Sequence, residues 1–521
     1  MEFLVNTSDA ASSSSAKSSA VEPLMVHPRW ALPYLAFITL LAAILRFHNL
    51  AARTLWFDEG VSVGIARLDW CNFGRILWRR EANMSLYYLL LRGWLHFGQS
   101  EFFVRTLSVL FALATIPALF ILGRRLFGAG TGVITTLLLA VNAYHIRYSQ
   151  EARSYSLTVL LCVLSSLYFL KCLDRTSHRN RVAYILFSAA AVYAHFYAGL
   201  LLLAQWLSLL FLEQEQIPKE LRKDWRWIAL LVSPIAIFVA TTGAGPLRWI
   251  QRPGFKDLWE LGLRLTGNYG VALLMAYVIA GSAAIVPVIL DEVHSGGIKK
   301  RVPWKSWRYR FLSLWLFFPI LFVLTVSMAR PLFLPRYFIL CLPALLLLAA
   351  NGVSRIRPPW LMTLAILLFV VLSDQGTASY YQHDFEDVQR ENWRAASQYV
   401  LANYQPGDAI MFHIPMGRMS YEYYRSLQGA SVAGPAVLYP THGDHVVFLD
   451  FVEKPSYDQL THAIPEYRRV WLVLSHAQGP SGPDETSTAL ETLILASHPH
   501  LEPHDFTGLE VSLYSGDRTI P

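Results

Sequence analysis

The chain has 521 residues, of which 54% are hydrophobic and 16% charged, and its mean hydropathy is +0.35. That apolar share lies above the range of a water-soluble domain and excludes one, so the chain reads as a polytopic membrane protein. The formal charge of +7 does not by itself imply nucleic acid, because Lys and Arg of a membrane protein gather in the loops on one side. No nucleic-acid partner is expected. Cys71, Cys162, Cys172 and Cys341 are scattered, outside any paired or metal-type spacing, which argues against a disulfide framework or a Cys-based metal site.

Residues 1–29 contain ASSSSAKSSA, too polar to bury a core, and predict a disordered cytoplasmic tail. The apolar run from Trp30 to Leu50 is long enough to cross a bilayer of roughly 30 Å and has no small-residue cleavage site, so it is expected to remain as an anchor. A large loop over 51–102 follows, opening with RTLWFDEGVSVG, in which Asp58 and Glu59 are adjacent. Later in the loop SLYYLLLRGWLHFG, Ser85 to Gly98, is short and rich in Tyr and Trp, as expected of a helix lying in the membrane interface. Trp56, Tyr87 and Tyr88 read as an aromatic belt.

Further apolar segments recur near 103–122, 130–147, 154–171, 181–196, 198–212, 227–244, 269–290, 310–327, 335–350 and 359–373, which with the first make about eleven spans within residues 30–374. His195 falls between two of these runs, where an interior histidine is more common than a ligand. With a cytoplasmic N-terminus, the inside loops carry 18 Lys and Arg and the short outside loops carry 8, in agreement with the positive-inside rule. An odd span count then places residues 375–521 and the 51–102 loop together on the outer, extracytoplasmic face.

Residues 375–521 alternate helical patterns (ENWRAASQYVLANY, SYEYYRSL, YDQLTHAI, TALETLILASH) with β-rich runs (DAIMFHI, HVVFLDF, RRVWLVLS, LEVSLYSG). The alternation predicts a small α/β domain with a partly parallel sheet. It contains no Gly-rich phosphate loop, and is expected to serve as a cap or acceptor platform.

Ionisable residues converge on the outer face from three stretches: Asp58 and Glu59, then YSQEARSY (Tyr148 to Tyr155), then FLPRYF (Phe333 to Phe338). Ionisable groups at the outer ends of several spans can share one cavity, where burying them without purpose is costly. Transfer of a sugar from a polyprenyl phosphate to a hydroxyl needs a base for the acceptor proton and cations for the departing phosphate, but no second carboxylic acid, unlike glycoside hydrolysis. Asp58 suits the base, and Arg153 and Arg336 suit the phosphate.

The ordered motifs WFDEG, YYLLL, FFVRTLSVLFAL with LGRRLFG, YSQEARSYSL, HFYAGLLL, RYFILCLP and WRAASQYVLANYQPGD resemble bacterial membrane glycosyltransferases of the C-type superfamily. More closely, the chain resembles glycosyltransferase family 39 and its relatives, related to the protein O-mannosyltransferases and lipid A aminoarabinose transferases, over nearly its whole length after residue 29. The resemblance implies the C-type fold with a periplasmic domain, and a multi-pass enzyme of the bacterial cytoplasmic membrane. It implies inverting transfer of a monosaccharide from a polyprenyl-phosphate donor to a lipid, glycan or protein hydroxyl, among membrane lipids. It carries the catalytic base onto Asp58, with Glu59 assisting or orienting. Glu151 and Arg153 would line the same cavity, Arg336 and Tyr337 would approach the lipid phosphate, and Tyr155 and His195 complete the candidate substrate-binding residues. No cofactor is fixed; some C-type enzymes use a divalent cation, for which Asp58, Glu59 and Glu151 offer oxygen ligands. Relatives often carry a His-Pro-Pro-like stretch before LYYLLL, whereas this chain has Asn83, Met84 and Ser85, so acceptor or sugar contacts there are expected to differ. The rival readings are a transporter or flippase of lipid-linked sugars, against which the absence of a pseudo-repeat counts, and a non-catalytic scaffold.

Overall fold

In the computed structural model the described residues of the apolar segments named above are largely helical. The structure describes residues 28–242, 250–267, 270–294, 300–382, 390–429, 432–440, 455–479 and 482–516. The polar tail, up to residue 27, and the HVVFLDF run lie outside the described residues.

The membrane domain begins with α1 (Pro28–Phe47), and the first loop folds as α2 (Phe57–Arg67), α3 (Trp70–Arg79) and α4 (Ser85–Trp94). Then come α5 (Glu101–Phe127), α6 (Ala129–Val141), α7 (Ala143–Ser149), α8 (Tyr155–Asp174), α9 (His178–Ala194), α10 (Ala198–Ser208), α11 (Leu221–Thr242) and α12 (Phe255–Thr266). The last are α13 (Gly270–His294), α14 (Trp304–Ser327), a 3-10 turn over Pro335–Cys341 leading into α15 (Leu342–Ser354), and α16 (Pro359–Gln382). Apolar runs in lipid must satisfy their own backbone groups, which helices do. Among the described residues eight helices are long and apolar enough to cross a membrane, or nine if α6 and α7 count as one span. The shortfall from eleven lies in α9, with 17 residues, and in the short apolar helix Ala198–Phe211. Small residues allow the close helix packing: a Cβ on Gly352 of α15 would lie 1.8 Å from the Ala280 carbonyl oxygen of α13.

Helices α6 and α7 meet at a 62° bend. Asn142 sits in the break, where its side chain caps α7 by accepting from the His145 N–H at 2.9 Å. The carbonyls that α6 leaves unpaired are met by Arg46 of α1, fully buried, which donates to Leu139 O and Ala140 O at 3.0 Å each. The bend turns α7 away from the axis of α6, and residues 150–154 link it to α8.

The two ends of the bundle differ in chemistry. At one end the basic loops interlock: Arg125 pairs with Asp174 at 2.5 Å, Arg181 with Asp224 at 2.8 Å, and Leu212 bridges to Val302. At the other end the 51–102 loop and residues 149–154 meet the C-terminal domain. α4 packs one face into protein, where Tyr87, Tyr88 and Leu91 are fully buried, and leaves Leu89 and Leu90 exposed on the other. The aromatic-belt reading of Tyr87 and Tyr88 is therefore corrected, because α2, α5 and α9 cover the face of α4 that would have met headgroups.

The C-terminal domain runs α17 (Trp393–Asn403), β1 (Asp408–His413), α18 (Gly417–Leu427), β2 (Ala436–Tyr439), α19 (Tyr457–Ala463), β3 (Arg469–Ser475), a small ribbon of β4 (Gln478–Gly479) and β5 (Gly482–Pro483), α20 (Glu485–Leu495), β6 (His500–Phe506) and β7 (Leu509–Ser515). The main sheet has the order β2-β1-β3-β7-β6, with β2, β1 and β3 parallel and β7 and β6 antiparallel. A partly parallel sheet is thus present as expected. The edge strand β6 was not anticipated, because HLEPHDF is almost wholly exposed and carries no apolar alternation. Strand alternation splits the sheet into two faces. Ile410, Phe412, Trp471, Val473 and Val511 join the core continuous with the membrane domain, while Met411, Val470, Leu472 and Leu474 pack with Leu460, Leu490 and Ile494. The first face is the one turned to the site.

Candidate active site

Helix α2 carries the acidic pair on its first turn, where carboxylates suit the helix dipole. Glu59 reaches back so that its Oε2 accepts from the Trp56 N–H at 3.4 Å. The helix lies against α18 at a glycine: a Cβ on Gly60 would fall 2.0 Å from Ser420 Oγ. Glycine there lets the C-terminal domain sit directly on the Asp58 helix.

The two acids have different surroundings. Glu59 is fully buried, and Arg105 of α5 grips it twice, Nε to Oε1 at 2.8 Å and Nη2 to Oε2 at 2.6 Å. The Ala152 N–H adds a bond to Oε1 at 2.7 Å, and Arg105 also donates to the carbonyls of Leu50, Arg53 and Thr54. Asp58 is held loosely. Its Oδ2 lies 3.6 Å from Arg153 Nη2 and 3.7 Å from Arg336 Nη2, distances of ion pairing but not of hydrogen bonding, and it has no hydrogen-bond donor among the described residues. Arg153 is fixed by its other bonds, donating through Nη1 to Ser62 Oγ at 3.2 Å and to the Asp58 carbonyl at 3.3 Å.

Around this triad the remaining expected residues assemble. His195 packs edge-on to Tyr337 at 4.7 Å between ring centroids and lies 6.4 Å from Tyr155. Arg336 stands 5.8 Å from both the Trp56 and Tyr337 rings, within cation–π range. Among the described residues Tyr155 Oη, His195 Nε2 and Trp56 Nε1 are buried without a hydrogen-bond partner, as is Asp58 Oδ2. A group of buried, unsatisfied polar atoms around two guanidiniums is what a polar ligand would complete. Glu151 belongs to the neighbourhood but is bound on its far side, with Oε1 2.6 Å from Arg390 Nη2.

The three carboxylates that could offer oxygen ligands to a divalent cation do not stand together as a set. Asp58, Glu59 and Glu151 each face a guanidinium, and among the described residues no three His, Cys, Asp or Glu side chains stand together as a metal would require. Asn83 and Ser85 also serve the framework: Asn83 Oδ1 accepts from the Phe196 N–H at 3.0 Å, and Ser85 Oγ donates to Tyr193 O at 3.4 Å. They anchor the junction of α9 and α10 beside His195.

Several participants were missed in the sequence. Arg105 had a readable signal, a charge inside an apolar helix. Glu81, in the turn between α3 and α4, gave none beyond its presence in the 51–102 loop. Burial pushes its carboxyl up to about 7, with Arg153 opposing and Asp58 adding to the shift. From the C-terminal domain come Arg390, Glu391 and Arg394, which grip Glu151, the Phe57 N–H and Glu101 respectively.

Residues 85–241 match the family described as Dolichyl-phosphate-mannose-protein mannosyltransferase. The fold is similar to that of ArnT from Cupriavidus metallidurans in the apo state, with a TM-score of 0.60 at 13% identity over 93% of this chain and 98% of the other. The same values hold for ArnT bound to undecaprenyl phosphate. A lesser likeness, TM-score 0.48 at 12% identity, covers 80% of this chain and 62% of the Archaeoglobus fulgidus oligosaccharyltransferase in the apo form. No curated protein sequence gives a significant match. The C-type resemblance read from the motifs therefore holds for the fold, including the C-terminal sheet domain.

Proposed function

We propose that this protein transfers one sugar from a polyprenyl-phosphate donor to a hydroxyl acceptor, with Asp58 as the base, at the outer face of a bacterial cytoplasmic membrane. The observation that carries the reading is Asp58 itself: a carboxylate with an unsatisfied buried oxygen, placed between two guanidiniums that approach it without hydrogen-bonding it. The match of residues 85–241 to the mannosyltransferase family and the fold shared with an undecaprenyl phosphate-bound ArnT support it.

In this reading the donor phosphate takes the Arg153 and Arg336 guanidiniums, which suit bidentate binding of phosphate oxygens. The acceptor O–H gives its proton to an Asp58 oxygen. The acceptor oxygen attacks the anomeric carbon from the face opposite the phosphate, and the C–O bond to phosphate breaks with its electron pair leaving on the phosphate. The two arginines hold the charge that develops there, and the anomeric configuration inverts. Tyr337, Tyr155 and His195 line the path beside Arg336. Glu59 touches no substrate; through Arg105 and the Ala152 N–H it fixes the first turn of α2 against residues 150–154, making it a positioning residue.

The test uses the full chain in lipid nanodiscs with labelled polyprenyl-phosphate sugars and membrane extract as acceptor. Donor consumption by the wild type and its loss in Asp58→Asn, at unchanged melting temperature, is the expected result. Equal consumption by both would overturn the assignment.

A further inference from the structure

The residue immediately before Asp58 is held from two directions by the C-terminal domain. Glu391, 3% exposed, accepts a hydrogen bond from the Phe57 N–H through Oε2 at 3.1 Å, and Phe57 is the first residue of α2. Its other oxygen, Oε1, lies 3.4 Å from His476 Nε2. His476 follows β3, in the left-handed backbone region with φ 55°, and its ring meets the Phe57 ring edge-on with centroids 5.1 Å apart. A non-glycine residue in that conformation is uncommon. Here it turns the imidazole toward α2, leaving about half of the side chain, 53%, exposed.

The charges facing this pair come from every element packed on it. Asp58 on α2 and Arg390 beside Glu391 act on the carboxylate, and Asp58 acts on the imidazole, which in turn acts on His413, itself 3.4 Å from Asp484. Burial raises the Glu391 carboxyl to about 7, with Asp58 adding to the rise and the Phe57 N–H and Arg390 opposing it. Burial also lowers His476, against the pull of Asp58. Between the ordinary carboxyl value and about 7, then, the contact between Glu391 and His476 sets a carboxyl that holds its proton beside the imidazole.

We propose that Glu391 and His476 are positioning residues for Asp58, and that docking of the C-terminal domain onto the amino end of α2 takes up a proton at this pair. The inference rests on the reading of Asp58 as the base. It makes the C-terminal domain part of the site and not only a cover over it. Because the docked carboxyl binds its proton more tightly than a free one, docking is strongest below about 4.5 and weakens as pH rises through about 7.

The experiment is hydrogen exchange of the amides at the start of α2, residues 57–62, in full-length protein in nanodiscs between pH 4.5 and 9, corrected for intrinsic exchange. Protection in the wild type is expected to fall by about tenfold per pH unit between pH 5 and 7, the limit for one linked proton, and to level off above. Glu391→Gln keeps an oxygen for the Phe57 N–H but cannot titrate, so its protection should be flat. His476→Phe keeps the ring contact and cannot share the proton, so its midpoint should move down by a measurable fraction of a pH unit. A flat wild-type profile, or the same slope in wild type and Glu391→Gln, would overturn the inference. Since exchange needs no donor, that outcome is separate from the Asp58→Asn turnover test: active Asp58→Asn with a sloping exchange profile would fault the base, not the pair.

Discussion

Two acid and base clusters lie back to back on the first turn of α2, and they have been finished differently. Around Glu59 every oxygen is used, by Arg105, Ala152 and Trp56, in full burial. Around Asp58 two arginines stand off by 3.6 and 3.7 Å and one oxygen has no donor among the described residues. A saturated cluster resists change because removing one partner leaves a buried charge alone. An unsaturated one is stable enough to fold and has capacity left for a ligand. Adjacent residues with the same charge thus divide into framework and chemistry according to what meets them across the fold.

That division can be broken most severely on the framework side. Arg105→Leu should strand Glu59 and cost on the order of 3–5 kcal/mol, read as lost expression or a large drop in melting temperature, with little left to assay. Asp58→Asn should do the reverse, lowering donor turnover by ~10²–10⁴-fold while the melting temperature stays within ~2 °C. Arg336→Lys should keep the charge and lose the planar fork, weakening donor binding by about tenfold with a smaller loss of turnover number, measured as KM against kcat. The smallest effect is expected at Glu81. Its folded carboxyl is raised to about 7 from 4.5, so the stability it confers is full below about 4.5 and is lost as pH rises through about 7. Glu81→Gln should therefore melt ~2–4 °C higher than wild type at pH 8 and alike at pH 4.5, by thermal scans at the two values.

Much of this was legible in the chain because hydropathy is a local signal. Each apolar run of about twenty residues became a helix, and the alternation after residue 390 became a sheet domain with the expected parallel core. Asp58, Arg153 and Arg336 could be gathered because all three lie at the same ends of apolar runs. The partners that separate Asp58 from Glu59 could not. Arg105 is 46 positions from Glu59, and Glu391 is 334 from Phe57, so nothing near the acidic pair announces either. Helix α9, with 17 residues, and the short apolar helix Ala198–Phe211 are apolar enough to read as spans in the sequence but fall short in length among the described residues. β6 escaped notice because an exposed edge strand has no buried face to impose a pattern.

Arg46 has a consequence for how the chain is made. Its guanidinium ends in the bend between α6 and α7, on carbonyls 93 and 94 residues further along. When the first helix leaves the ribosome, those acceptors have not been synthesised, and only its own turn, through Ala42 O at 3.2 Å, is at hand. An arginine in a segment entering lipid costs about 2.5–3.5 kcal/mol at the centre and less near an end. Until α6 is in place, α1 carries a guanidinium without the two carbonyls that it meets in the finished fold.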